Sequence, residues 1–91
     1  MSSRLVSISG AVGKQVIPVT AQAELEYVTI TPSAANATVK IRDGNASGEV
    51  VFYARVLSAQ GSTQFEVCHK FTKGMHVKVI GTLAEAYLVI N

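Results

Sequence analysis

Short segments in which apolar and polar residues alternate are the feature that most constrains how this chain can fold. In residues 37–42, for example, Val39 and Ile41 alternate with Lys40 and Arg42. A period of two places the apolar side chains on one face of a β-strand, whereas an amphipathic helix needs a period near 3.6. Because similar alternation recurs along the chain, the sequence predicts an all-β protein.

Residues typical of turns separate the predicted strands. Gly, Pro, Asn, Asp and Ser cluster between them, and short strands at about 8–12-residue spacing are typical of a sandwich or barrel. The predicted strands are, in chain order, 5–8, 15–20, 24–31, 37–42, 49–57, 63–67, 75–79 and 86–90. We therefore expect residues 1–91 to form a single small β-sandwich, immunoglobulin-like or jelly-roll-like, of about seven or eight antiparallel strands. The residues expected to be largely buried are Val28, Ile30, Val39, Ile41, Phe52, Phe65, Val67, Val77, Val79 and Leu88.

Two local features predict details of strand position and register. Pro18 interrupts the second predicted strand. Since proline lacks the N–H that a central strand donates, this strand should lie at an edge or contain a bulge. Residues 71–75 are typical of a three-residue hairpin loop with Gly74 in the left-handed conformation. That hairpin would place His69 opposite Val77, with the two histidines of the chain on opposite faces.

The composition favours a protein that associates with other proteins. Hydrophobic residues make up 48% of the chain and charged residues 15%, against a usual charged share of about 25%. In so small a domain this suggests that part of the surface is covered by copies of the chain or by a larger partner. The net charge is +2 and the basic residues are scattered along the sequence, so we expect no nucleic-acid partner. No apolar run is long enough to cross a membrane, and no secretory signal begins the chain, so we expect it to be made in the cytosol and to be soluble there.

The sequence contains no recognisable set of catalytic or metal-binding residues. Residues 43–48 match the opening of a calcium-binding loop, but Ala54 stands where the closing glutamate belongs, so a β-turn connection is the better interpretation. Cys68, His69 and His76 are the candidate soft-metal ligands or nucleophiles, and structural zinc needs four converging ligands. We therefore predict no enzyme activity, no metal, no cofactor and no small-molecule substrate, with Cys68 as a half-buried packed thiol.

A recurrent order of strand and turn residues covers about two-thirds of the chain. The blocks are, in chain order, Val28-Thr29-Ile30, Val39-x-Ile41-x-Asp43-Gly44, Ala46-Ser47-Gly48, Phe71-Thr72-x-Gly74-Met75-x-Val77-x-Val79-x-Gly81 and Tyr87-Leu88-x-Ile90. This order resembles the small β-sandwich structural proteins of tailed bacteriophages. The pattern contains no catalytic signature.

The resemblance implies a role in the virion. It implies a capsid decoration (cement) protein that bridges and stabilises major capsid protein subunits on the capsid exterior, after synthesis in the host cytoplasm. It also implies a homo-oligomer, with a trimer preferred. The alternatives are a small tail, connector or fibre component, or a carbohydrate-binding β-sandwich module. Exposure of Tyr27, Tyr53 and Tyr87 together on one face would favour the carbohydrate-binding module.

Residues 1–27 lie outside the recognised pattern and form either an arm that contacts neighbours or the first strands of the sandwich. We expect contacts with a partner in this segment. We also expect polar contacts at the rim of the interface, near the turns at residues 43–48 and 72–74. The residues expected to make these contacts are Arg4, Val16, Pro18, Arg42, Lys70 and Lys73.

Overall fold

Eight β-strands form the chain in a computed structural model that describes residues 4–9, 13–33, 35–81 and 84–91. The strands are β1 (Arg4–Ser9), β2 (Gly13–Ile17), β3 (Ala23–Thr31), β4 (Ala37–Asp43), β5 (Glu49–Val56), β6 (Thr63–Phe71), β7 (Met75–Ile80) and β8 (Glu85–Ile90). A single 3-10 turn, Ser58–Gln60, is the helical element of the described residues. No helix in those residues is long and apolar enough to cross a membrane.

The strands pack as two four-stranded antiparallel sheets, which confirms the predicted all-β sandwich. The first sheet has the order β1-β8-β3-β6 and the second has the order β2-β7-β4-β5. The pairs β1–β8, β2–β7, β3–β6 and β4–β5 are therefore antiparallel neighbours. Such pairing is that of one long hairpin, with its tip between β4 and β5, rolled up into two sheets. This is the jelly-roll arrangement. An immunoglobulin-like sandwich would instead place the first two strands side by side in one sheet.

The core lies between the two sheets and is built from the inward side of each alternating strand. Seven of the ten residues predicted to be buried are at most a few per cent exposed: Val28, Ile30, Val39, Ile41, Val77, Val79 and Leu88. Phe52, Phe65 and Val67 are only partly buried. They lie on β5 and β6, each of which is one of the two edge strands of its sheet, and no other strand of the described residues covers this side. The rings of Phe52 and Phe65 contact each other edge to face across this open side, with centroids 5.6 Å apart.

The strand that precedes Pro18 is both an edge strand and a bulged one. β2 ends at Ile17, and its register with β7 shifts between Gln15 and Ile17. Both parts of the expectation drawn from Pro18 are thus confirmed, although the proline itself follows the strand instead of lying within it.

The predicted hairpin around Gly74 is wrong, because β6 and β7 belong to different sheets. His69 pairs with Leu25 of β3, and His76 pairs with Arg42 of β4. Alternation fixes which face of a strand is buried but not which strand lies beside it, so the local pattern could not exclude a crossover between sheets. Gly74 does have a positive φ of 91°, as the sequence predicted.

Candidate functional site

The six predicted contact residues are spread over the molecule and do not form one patch. Within residues 1–27, Arg4 begins β1 opposite Ile90, and its side chain lies outside the described part of the structure. Val16 is half-buried in the bulged part of β2 and packs against the core. Pro18 is exposed in the turn after β2, where its carbonyl oxygen accepts a hydrogen bond from the amide of Ala21 at 2.9 Å.

The other three predicted contact residues lie on different parts of the surface. Arg42 is on the outer face of the second sheet and donates from Nη1 to the carbonyl oxygen of Gly48 at 2.7 Å. Lys70 is exposed near the end of β6, opposite Glu24. Lys73 is exposed in the connection between β6 and β7. Their contact with a partner stays a prediction.

The loop 43–48 forms a compact turn. The side chain of Asn45 accepts a hydrogen bond from the amide of Ser47 at 2.9 Å, and the amide of Gly48 donates to the carbonyl of Asn45 at 2.9 Å. A Cβ on Gly48 would collide with the carbonyl oxygen of Asp43, so the turn requires glycine there. One carboxylate oxygen of Asp43, Oδ1, is buried without a hydrogen-bond partner. Across the described residues, no three His, Cys, Asp or Glu side chains are grouped so that they could hold a metal ion.

The outer face of the second sheet is basic. Lys40 of β4 lies directly opposite Lys78 of β7, and Arg42 lies opposite His76. Arg55 is exposed on the neighbouring strand β5. The carboxylates of β4 and β5, Asp43 and Glu49, pair with each other at one end of these strands. The fold thus brings four of the eight Lys and Arg residues to one side of the sandwich.

A shallow concavity lies in this basic face. Its volume is about 310 Å³, and it is lined by Gly13, Lys40, Arg42, Ala46, His76 and Lys78. The imidazole of His76 lies over Gly13, where a Cβ would come within 2.6 Å of Cε1 of the ring. The ammonium group of Lys40 is 5.8 Å from the centroid of the Tyr53 ring, within reach of a cation–π contact.

The outer face of the first sheet carries the opposite charge. Glu24 lies opposite Lys70, and Glu66 lies opposite Tyr27. Glu26 of β3 and Glu85 at the start of β8 are further carboxylates of this sheet, and the exposed Lys70 places one cation among them.

Two tyrosines hold the carboxylates of this acidic face in place. The hydroxyl of Tyr27 donates to Oε2 of Glu66 at 3.4 Å, and the hydroxyl of Tyr87 donates to Oε2 of Glu85 at 3.0 Å. The hydrogen bond to Glu85, followed by the charge of that carboxylate and by partial desolvation, raises the pKa of Tyr87. Tyr53 is on the basic face, so Tyr27, Tyr53 and Tyr87 do not form the single aromatic platform that would favour carbohydrate binding.

Cys68 is exposed on the acidic side, which corrects the expectation of a half-buried thiol. It lies in a bulge in which Val67 and Cys68 of β6 face the single residue Glu26 of β3, and its φ is 51°. Burial alternates without a break along β6, so Cys68 shares its outward side with Glu66 and Lys70. Partial desolvation, followed by the negative charges of Glu66, Glu24 and Glu26, raises the pKa of the Cys68 thiol.

This raised pKa predicts slow alkylation of Cys68 at neutral pH, because the thiolate is the reactive form. The rate with iodoacetamide should reach its midpoint at a higher pH in the folded protein than in the urea-unfolded chain. Glu66→Gln should move that midpoint part of the way down, since desolvation remains. Glu85→Gln is the matched control and should leave it unchanged. Equal effects of the two substitutions on the midpoint would contradict the placement of Cys68 beside Glu66.

Exposed apolar side chains follow the edge strand β5. Val50 is 39% exposed, Tyr53 is 60% exposed, and Leu57, just after the strand, is 48% exposed. We call these three residues the β5 margin. The outer backbone edge of β5 is unpaired within the described sheet, and an unpaired edge beside apolar side chains is a surface on which another chain can dock.

Sequence reasoning missed both charged faces and the β5 margin. Thr38, Lys40 and Arg42 occupy every second position of β4, so the sequence alone identifies the polar side of that one strand. The pairing of β4 with β7, which brings Lys78 beside Lys40, cannot be predicted from the sequence pattern of either strand.

Comparison with known proteins supports the fold and leaves the family open. No protein-family model matches the chain, and no curated protein sequence matches it. Among solved structures, the chain is similar to one from the study of Bacillus endospore appendages, which are described as a family of disulfide-linked pili. The TM-score is 0.59 at 14% sequence identity, over 98% of this chain and 82% of that one. At this identity the likeness shows a shared fold alone.

A weaker match is the structure of the Gx strain of infectious bursal disease virus. It has a TM-score of 0.38 at 10% identity and covers 97% of this chain. The chain spans about a third of that protein's length, 32%.

Proposed function

We propose that this chain is a structural protein of a large assembly, and that it decorates the outside of a tailed-phage head, where it bridges neighbouring major capsid proteins. The observation that carries the proposal is the β5 margin, in which Val50, Tyr53 and Leu57 are exposed beside an unpaired strand edge. The choice of a phage head as the assembly follows from the resemblance of residues 28–90 to small phage β-sandwich proteins.

The proposed mechanism needs only burial of surface. Fully burying an apolar side chain of this size contributes roughly 1.5–3 kcal/mol, and each side chain of the β5 margin is already partly covered. Each copy therefore adds a modest interface. Because a capsid presents many identical junctions, modest contacts that each bridge two subunits add up to a large resistance to rupture.

The direct test compares heads assembled with and without this protein. Heads that carry it should survive heating and osmotic shock that open heads without it. The double substitution Tyr53→Ser/Leu57→Ser should reduce binding of the purified protein to bare heads at least tenfold. Leu5→Ser is the matched control, because Leu5 is 65% exposed on the opposite outer face. Equal resistance of the two kinds of head, or equal loss of binding for both variants, would contradict the proposal.

A small tail, connector or fibre component is the second candidate. It is favoured by the opposite charges of the two outer faces, which suit assembly of copies in a row. The similar Bacillus protein belongs to appendages described as disulfide-linked. These 91 residues contain one cysteine, and covalent linkage of each subunit to two neighbours would need at least two. The exposed Cys68 could link a copy covalently to one neighbour, so a longer row of these 91-residue units would also use non-covalent contacts.

A further inference from the structure

The two outer faces of the sandwich are complementary in charge. Lys40, Arg42 and Lys78 lie at the centre of one face. Glu24 and Glu66 lie on the other face, on the far side of the core. We propose that copies of this chain stack head to tail, with the basic face of one copy against the acidic face of the next.

The strongest support is a pair of like charges that the fold places side by side. Lys40 and Lys78 are directly opposite each other on neighbouring antiparallel strands, and like charges at such positions destabilise a sheet. The ammonium group of Lys40 lies near the ring of Tyr53 on the neighbouring strand. In the described strands the cross-strand neighbours of this pair are Tyr53 and Gly13, neither of them acidic, so an acidic surface from another copy would relieve the repulsion.

The acidic face offers carboxylates that are already oriented. Glu66 and Glu85 accept hydrogen bonds from the hydroxyls of Tyr27 and Tyr87. Carboxylates held in this way lose less freedom when a cation approaches. Apolar side chains accompany the charges on both sides, since Leu5 is exposed on the acidic face and Ile80 on the basic face. Each interface would thus combine ion pairs with some apolar burial.

The geometry of this contact determines the form of the assembly. The two patches are different surfaces of the chain, so the contact is heterologous, and such contacts build rings or open filaments. Because the patches lie on opposite sides of a two-layer sandwich, each copy continues in the direction of the last, which favours an open stack over a closed trimer. With sheets about 10 Å apart, each copy would lengthen the stack by about 20 Å.

Association in such a stack should be weak for each contact and sensitive to salt. An exposed ion pair contributes only about 0–1 kcal/mol, so a contact made largely of such pairs is weak. Exposed charges are screened beyond about 10 Å at 0.1 M ionic strength and beyond about 3 Å at 1 M. We expect the association constant of the wild-type protein, measured by sedimentation equilibrium, to fall at least tenfold between 50 and 500 mM NaCl.

Charge reversal on each face provides the decisive experiment. Lys40→Glu/Lys78→Glu cancels the positive charge of the basic face, because the two new carboxylates balance the remaining Arg42 and Arg55. Glu24→Lys/Glu66→Lys makes both faces basic. Each variant alone should sediment as a monomer, and an equimolar mixture should associate again. Lys14→Glu/Lys73→Glu is the control matched in net charge, because neither residue lies on an outer face, and it should associate like the wild type.

Two outcomes would overturn the stack. One is a mixture of the reversed variants that remains monomeric. The other is the finding that the basic face binds a phosphate polymer and not a second copy. A labelled oligonucleotide would then bind the wild type and not Lys40→Glu/Lys78→Glu, and Glu24→Lys/Glu66→Lys would leave self-association unchanged. The stack does not rest on the decoration role. Failure of the charge-reversal experiment would leave binding to heads through the β5 margin intact, and failure to bind heads would leave the stack intact.

Discussion

Replacing Phe71 by alanine should lower the free energy of unfolding by about 3–5 kcal/mol, the range found for buried aromatic residues. Phe71 is fully buried at the end of β6, where it lies opposite Ala23 and contacts the ring of His69 edge to face at 4.8 Å. Domains of this size are stable by only about 5–15 kcal/mol. The variant should therefore show a large fall in the urea midpoint, followed by far-UV circular dichroism.

Phe65→Ala is the matched control for this substitution. Phe65 lies on the same strand and faces the same core, but it is only half-buried at the open side of the sandwich. Because part of its ring is already in contact with water, its removal should cost less than half as much as removal of Phe71. Equal losses for the two variants would mean that the side between β5 and β6 is closed, in conflict with the observed packing.

Gly74→Ala should cost roughly 2–3 kcal/mol, for two reasons that act together. Gly74 has a φ of 91°, a conformation that costs a residue with a side chain about 1–2 kcal/mol. In addition, a Cβ would lie 2.7 Å from the carbonyl oxygens of both Ile17 and Pro18. Those atoms are backbone and cannot move aside without disturbing the end of β2. Thermal unfolding should show a midpoint lower by about 10–20 °C for a domain of this size.

Gly61→Ala separates the two causes. Gly61 also has a positive φ, 70°, but no atom lies within 4 Å of the position its Cβ would take. The substitution should therefore show only the conformational cost, and its midpoint should fall by less than that of Gly74→Ala. If Gly61→Ala were the more damaging of the two, the close approach of β2 to Gly74 would be wrong.

The sequence predicted the strands of this fold well, because alternation within a strand is a local property. In β4 the buried Val39 and Ile41 and the outward Lys40 and Arg42 all follow from neighbouring residues. The edge position of β2 followed from Pro18 in the same way. Both predictions depend only on residues that are close together in the sequence.

Pairing between distant strands could not be predicted from the same signals. The false hairpin around Gly74 arose because a positive φ fits a tight loop within one sheet as well as a crossover between two. The basic face could not be predicted for the same reason, because lysines far apart in the sequence become neighbours only when β4 pairs with β7. The partial burial of Phe52 and Phe65 depends on which strands are last in each sheet, and this too is a property of topology.

Electron cryomicroscopy of virions produced with and without this protein tests the decoration role. We expect extra density the size of one jelly-roll on the outside of the head, in contact with at least two major capsid protein subunits, and absent from virions produced without the protein. Heads without such density, or density confined to the tail, would contradict the proposed decoration role.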